Sequence, residues 1–369
     1  MDLTPYFVAW RTATLPDREV IDALVDPRHA EAPGELLSVL GGRRDLHYYW
    51  SAEPDGRHLI ISNPRPRRAE RWWLHGLLFA LTLFTVTFAG AMIAGTIAYD
   101  GVWTFFTVLA HPSRAFFDAW AAGLRFSLPL LAILLSHELG HYITARRYGV
   151  DASPPYFIPA PLLPSFIGTM GAFIRLRTVL SDRRQLLDIG IGGPIAGFLV
   201  AVPVLCYGLV HSQIIPPDAD THGMLLVFGN DLVASLGDSP LTWLARHATI
   251  GAAPAIILHP AAVAGWLGLF VTMLNLLPIS QLDGGHVLYA ALPRFQRRLA
   301  VAFWVALVIM GAFGWHGWLM WGALVLVVSR GRLGHPAVLA PERPLPVSRR
   351  VLAWVGLVMF VVTFVAMPF

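Results

Sequence analysis

The chain has no lysine and one cysteine, and only 14% of its 369 residues are charged. Each shortage excludes something. A lone thiol, Cys206, cannot form an internal disulfide or a cysteine-based zinc site. Soluble domains carry about a quarter charged residues. With 56% hydrophobic residues and a mean hydropathy of +0.59, this chain reads as an integral membrane protein. All 27 basic residues are arginine, which we read as compositional bias. The formal charge of +4 comes from loops, so it reports topology and not a nucleic-acid partner. The opening MDLTPYFVAWRTATLPD holds no apolar run, so insertion is expected to rest on the spans and not on a cleavable signal.

The hydropathy pattern predicts an all-α polytopic membrane protein of about seven transmembrane helices, preceded by a small N-terminal α/β domain in the cytoplasm. Residues 1–71 are that domain and a basic linker. Within it, Asp17–Val25 (DREVIDALV) reads as a short amphipathic helix and Asp45–Ser62 as a β-hairpin turning at Pro54-Asp55-Gly56. Residues 72–298 form the expected core, with spans at Trp72–Tyr99, Ala119–Tyr148, Ile189–Val210 and Ala255–Ile279. Asp100–Asp118 and His211–Pro254 read as loops. Residues 299–369 are expected to be a transmembrane hairpin, Leu299–Val328 turned at Gly314–Gly317, plus a last span, Val351–Met367. Basic loops prefer the cytoplasm. On this topology 24 of the 27 arginines fall on one side. That places the N-terminus in the cytoplasm and suggests a bacterial inner (cytoplasmic) membrane.

Leu130–Gly149 (LLAILLSHELGHYITARRYG) carries the chemistry. His137-Glu138-x-x-His141 puts two imidazoles on one helical face. That pattern suits Zn²⁺, with Glu138 beside it as general base. The apolar run before it makes these polar residues costly unless they function. A catalytic zinc site needs a third protein ligand. His286 and His259 are candidates. Asp283 is the better one, because a carboxylate in a Gly-rich break after an apolar segment is expensive without a cation.

HELGH on one span and Asn275-x-x-Pro278-x-x-x-x-Asp283-Gly284 at the end of a later one resemble the site-2 protease family of intramembrane zinc metalloproteases. The likeness runs from about Trp72 to Arg298. It implies metal ligands His137, His141 and Asp283, Glu138 as catalytic base, and Asn275 as the residue that holds substrate or the oxyanion. Gly192-Gly193-Pro194 is similar to the family's glycine-rich helix start. The IPAP, GTMGAF and GGP series resembles the plant chloroplast members and their bacterial relatives. The implied cofactor is Zn²⁺ and the implied partners are a transmembrane protein substrate and the lipid bilayer, with no nucleic acid. The implied activity is hydrolysis of peptide bonds in or near transmembrane segments, as in regulated intramembrane proteolysis. Two other classes use similar residues: a membrane zinc transporter or channel, and an inactive protease-like scaffold. Finally, Phe166–Leu176 (FIGTMGAFIRL) is too short to cross as a helix. It is expected to dip into the membrane as a short β-structure whose free edge pairs with unwound substrate.

Overall fold

A tight turn at Pro54-Asp55 lets two runs rich in aromatic and β-branched residues fold back on each other. They form β3 (His47–Glu53) and β4 (Gly56–Pro64), the hairpin expected from the sequence. In this computed structural model the described residues are 4–369 without 32, 42–45, 66–68, 98–113, 161–166, 216–222, 230–231 and 252–254. The linker Asn63–Arg71, the loop Asp100–Asp118 and the start of Phe166–Leu176 therefore lie partly outside them.

The N-terminal unit is a sheet in the order β1-β2-β4-β3, with β1 at Phe7–Thr14 and β2 at Arg18–Val25. Helices α1 (Pro27–Glu31) and α2 (Gly34–Gly41) cover one face through Leu36 and Leu40. The expected helix at Asp17–Val25 is corrected: it is strand β2. Its apolar residues sit at both helical and alternating spacings, and pairing with β1 on one side and β4 on the other selects the strand.

The helices follow as α3 (Trp72–Ile93), α4 (Arg114–Arg147), α5 (Arg183–Val210), α7 (Pro260–Asn275), α8 (Asp283–Ala291), α9 (Gln296–Phe313), α10 (Gly317–Val328) and α11 (Val347–Thr363), with α6 (Pro240–Ile250) between α5 and α7. Four of them, α3, α4, α5 and α9, are long and apolar enough to cross a membrane. The protein is a multi-pass membrane protein. The other expected spans are shorter: 16 residues in α7, 12 in α10 and 17 in α11, against about 20 for a full crossing. Helices α9 and α10 pack against each other, with Trp304 Nε1 donating to the Gly322 carbonyl at 3.0 Å.

Two further readings are corrected. The span expected at Ala255–Ile279 begins five residues later. His259 caps α7 and Pro260 opens it, while Ala255–Ile257 is strand β10. The stretch expected as a loop at His211–Pro254 contains β7 (Gln213–Ile215), β8 (Gly223–Phe228), β9 (Leu232–Leu236) and α6. With β10 these strands form a sheet in the order β7-β10-β8-β9. The strands are short and the pairing of β10 is long-range, which local periodicity does not register.

Between α4 and α5 the chain forms a hairpin of β5 (Tyr156–Pro159) and β6 (Thr169–Phe173). Its base continues through an isolated bridge between Ala152 and Leu176. The apolar core sits among α3, α4, α5 and α7. A second cluster packs α8 to α11 against α5.

Candidate metal centre

Helix α4 carries His137 and His141 four residues apart, so both imidazoles leave one face. His141 Nδ1 lies 2.7 Å from the Ile189 carbonyl of α5. A carbonyl only accepts, so that bond keeps the proton on Nδ1 and leaves the Nε2 lone pair facing inward. His137 Nε2 is 3.1 Å away from it. Asp283 Oδ2 reaches in from the first residue of α8 and lies 3.2 Å from each of the two nitrogens. Both imidazoles are buried.

Glycines make this convergence possible. A Cβ at Gly193 would overlap the imidazole of His141, so α5 can pass this ring only with hydrogen at that position. Gly140 and Gly192 meet where α4 crosses α5. At the other side, α7 ends at Asn275 and the chain bends through Ser280, whose φ is +51°. The Ser280 amide donates to the Leu333 carbonyl at 2.9 Å, which holds the bend. A Cβ at Gly284 would strike the Leu276 carbonyl oxygen. The Asp-Gly pair thus lets α8 start hard against the end of α7, and that contact aims Asp283 at α4.

The donor set fits a tetrahedral ion. Bonds of about 2.0–2.1 Å place tetrahedral ligand atoms about 3.3–3.4 Å apart, and the separations here fall within about 0.3 Å of that. Two nitrogen lone pairs and a carboxylate pointed at one spot suit a cation. Glu138 is buried beside them, with the Ile174 backbone just after β6 next to its carboxylate. Asn275 Nδ2 is 3.3 Å from His137 Nε2, so it faces the same space.

The structure thus brings together His137, Glu138, His141, Asp283 and Asn275. It keeps the alternative third ligands apart. His286 Nδ1 pairs with His335 Nε2 at 2.7 Å, and His259 Nδ1 accepts from the Ala261 amide at 3.2 Å. Three contributors were not foreseen as site groups: the Ile189 carbonyl, the Ile174 amide and the His141-facing hydrogen of Gly193. The first two are backbone and leave no side-chain signature. Among the described residues one other trio could hold an ion, Asp22, Glu53 and His58. A guanidinium already serves it: Arg343 bonds Asp22 at 2.5 Å and Glu53 at 2.7 Å.

Apolar helices around a His, His, Asp and Glu cluster define a membrane-embedded metallopeptidase type of site. The model of peptidase family M50 matches residues 125–313, which include every one of these residues. The chain belongs to that family, the site-2 proteases. It is similar to the probable zinc metalloprotease EGY1, chloroplastic, of Arabidopsis thaliana, at 32% identity over 66% of this chain and 42% of that protein. The probable zinc metalloprotease EGY2, chloroplastic, of the same plant is 27% identical over 67% of this chain and 42% of its own length. EGY3 of Oryza sativa subsp. indica, also named a probable zinc metalloprotease, is 28% identical over 78% of this chain and 47% of its own. The chain thus spans less than half the length of these relatives. No solved structure matches it.

Proposed function

We propose that this protein is an intramembrane zinc metalloendopeptidase that hydrolyses peptide bonds in or near the transmembrane segments of membrane-protein substrates. The observation that carries the proposal is the convergence of His137 Nε2, His141 Nε2 and Asp283 Oδ2 beside Glu138 within apolar helices. The relatives named zinc metalloproteases support the choice of ion. On this reading residues 72–298 are the protease core, 1–71 a cytoplasmic domain with its linker, and 299–369 a hairpin plus last helix. The skewed arginine distribution supports a cytoplasmic N-terminus in a bacterial inner membrane.

Held by His137, His141 and Asp283, zinc supplies a Lewis acid that acidifies water and polarises a carbonyl. Glu138 takes the proton of the attacking water and returns it to the leaving amine nitrogen. The Ile174 backbone lies beside the Glu138 carboxylate and can donate to it. Asn275 Nδ2 donates to the oxygen on which negative charge develops. The Ile189 carbonyl fixes the His141 ring and its tautomer.

A substrate helix satisfies its own backbone bonds in the membrane and must unwind to be cut. Strand β6 pairs with β5 and with no other strand among the described residues. Its second edge is therefore open to an unwound substrate strand, which recovers main-chain hydrogen bonds by pairing there. The Ile174 contact sets that edge beside Glu138. Such pairing reads backbone first, consistent with a protease for membrane-spanning segments under regulated proteolysis.

The test is cleavage of a reporter with one transmembrane segment, by the purified protein in proteoliposomes. A cut mapped by mass spectrometry to within or near the segment, abolished by chelation and restored by Zn²⁺, is expected. An intact reporter with stoichiometric zinc, or zinc flux without cleavage, would overturn the proposal in favour of a scaffold or a transporter.

A further inference from the structure

The hairpin that carries β6 is fastened at its base by the N-terminal sheet. The fastening is a buried Asp-Arg pair where β2 begins. Asp17 Oδ2 accepts from the Asp151 amide at 3.0 Å and from the Thr178 hydroxyl at 2.9 Å. Asp151 precedes β5 and Thr178 follows β6, so one carboxylate oxygen ties both ends of the hairpin. Arg18 is fully buried and completes the knot. Its Nη1 donates to Asp17 at 2.8 Å and to Thr178 Oγ1 at 3.0 Å, and its Nη2 donates to the Val179 carbonyl at 3.1 Å. From this base the pairing continues, with a shift of register, into β5 and β6. The Arg177 amide bonds the Asp151 carbonyl at 3.1 Å, Ser153 bonds Arg175 at 3.1 Å, and β5 and β6 follow. Ile174 follows β6 at the end nearer this base, four residues before Thr178, with its backbone beside Glu138.

We propose that Asp17 and Arg18 are positioning residues for the hydrolytic site: the N-terminal sheet clasps the hairpin base and thereby sets the β6 edge and Ile174 against Glu138. This rests on the proteolytic reading of the site and extends it to a domain remote from the metal ligands. Neither residue touches substrate. They act through a two-stranded ribbon, and two strands alone are marginal in stability. A ribbon of that kind holds the β6 edge and Ile174 in place only if the base beside them is fixed. Charge-assisted bonds in a buried place are the strong kind, so the clasp is a fixed point and not a surface contact. A ligand or partner that shifted the N-terminal sheet would loosen the β6 edge while leaving His137, His141 and Asp283 in place.

The test compares Asp17→Ala, Thr178→Val and Thr178→Ser with the wild-type full-length protein. Asp26→Ala serves as a control, because among the described residues the Asp26 side chain bonds only the side chain and amide of exposed Arg28 in the same unit. Two quantities are read: amide hydrogen exchange across residues 169–174 in the resting protein, and KM and kcat for the transmembrane reporter. Loss of a charge-assisted bond corresponds to about a tenfold change. Exchange in 169–174 is expected to rise about that much in Asp17→Ala and Thr178→Val, and KM to rise by a similar factor. Zinc content should stay stoichiometric. Thr178→Ser keeps the hydroxyl and should behave as wild type, as should Asp26→Ala. Should Asp17→Ala unfold β1–β4, seen as exchange throughout those strands, Thr178→Val decides alone. Unchanged exchange in 169–174 together with unchanged KM in Thr178→Val would overturn the clasp. The exchange measurement needs no catalysis. A wild-type protein that binds zinc and cleaves nothing therefore refutes the proteolytic reading and leaves the clasp to be judged by exchange.

Discussion

Replacing Gly193 with alanine gives the sharpest single test of how the centre is built. Helix propensity alone says the change should help, since alanine is better than glycine in a helix interior by about 0.8–1.0 kcal/mol. The structure says the opposite for the site. The added methyl would lie 2.5 Å or closer to three atoms of the His141 ring. Ordinary non-bonded contact is about 3.5 Å, so ring or helix must move by about 1 Å. The ring cannot retreat cheaply, because Nδ1 is held at 2.7 Å by the Ile189 carbonyl. Metal–ligand distances tolerate about 0.2 Å. Disturbing a partner that merely orients a ligand costs about 10- to 100-fold in metal affinity, and direct overlap should reach at least the upper end. The assay is zinc affinity by chelator competition on purified Gly193→Ala protein, with cleavage measured in parallel. Wild-type affinity and wild-type cleavage in this variant would refute the placement of His141 against α5.

Other outcomes follow from the same geometry. Asp283→Ala should lose zinc along with activity, because it removes one of three converging donors; elemental analysis showing full zinc would point to another ligand. Ile174→Pro removes the amide beside Glu138, directly after the β6 edge, so cleavage should fall about tenfold or more with zinc content unchanged. A wild-type rate in that variant would remove the open edge from the mechanism. In the N-terminal sheet, burial pulls the His58 imidazole down, but its hydrogen bonds to Asp22 and Asp55 and the nearby Glu53 charge hold it above its ordinary value. Its contribution to stability is then full below about pH 6.5 and lost as pH rises through the higher folded value, so the sheet should melt lower at about pH 8.5 than at about pH 6. His58→Phe should flatten that difference, and an equal difference in the variant would assign it elsewhere.

The side chains that converge at the centre were legible in the sequence because each has a local signature. HELGH needs only one helical turn, and Asp283 betrays itself as a charge at the end of an apolar stretch. The fold around them was legible where one pattern dominates, as in α3, α4 and α5. It was not legible where pairing partners lie far along the chain. Residues 18–25 satisfy both a helical and a strand period, and β1 and β4 decide between them. Strands β7 to β10 are three to six residues long, and the parallel partner of β10 is β8, about 30 residues earlier. The glycines at 192 and 193 were visible only as a resemblance, since the reason for them is the face of α4 that passes there. Asp17 and Arg18 carry no sequence signal at all. An acidic–basic pair beside a turn is ordinary, and only the fold shows that it is buried against Asp151 and Thr178.

The central claim is that Glu138 is the base beside a zinc held by His137, His141 and Asp283. Glu138→Gln tests it most directly. It leaves all three ligands intact and removes the group that accepts the proton. The purified variant should hold stoichiometric zinc, with cleavage of the transmembrane reporter reduced by about a hundredfold or more. Stoichiometric zinc with cleavage at the wild-type rate would contradict it.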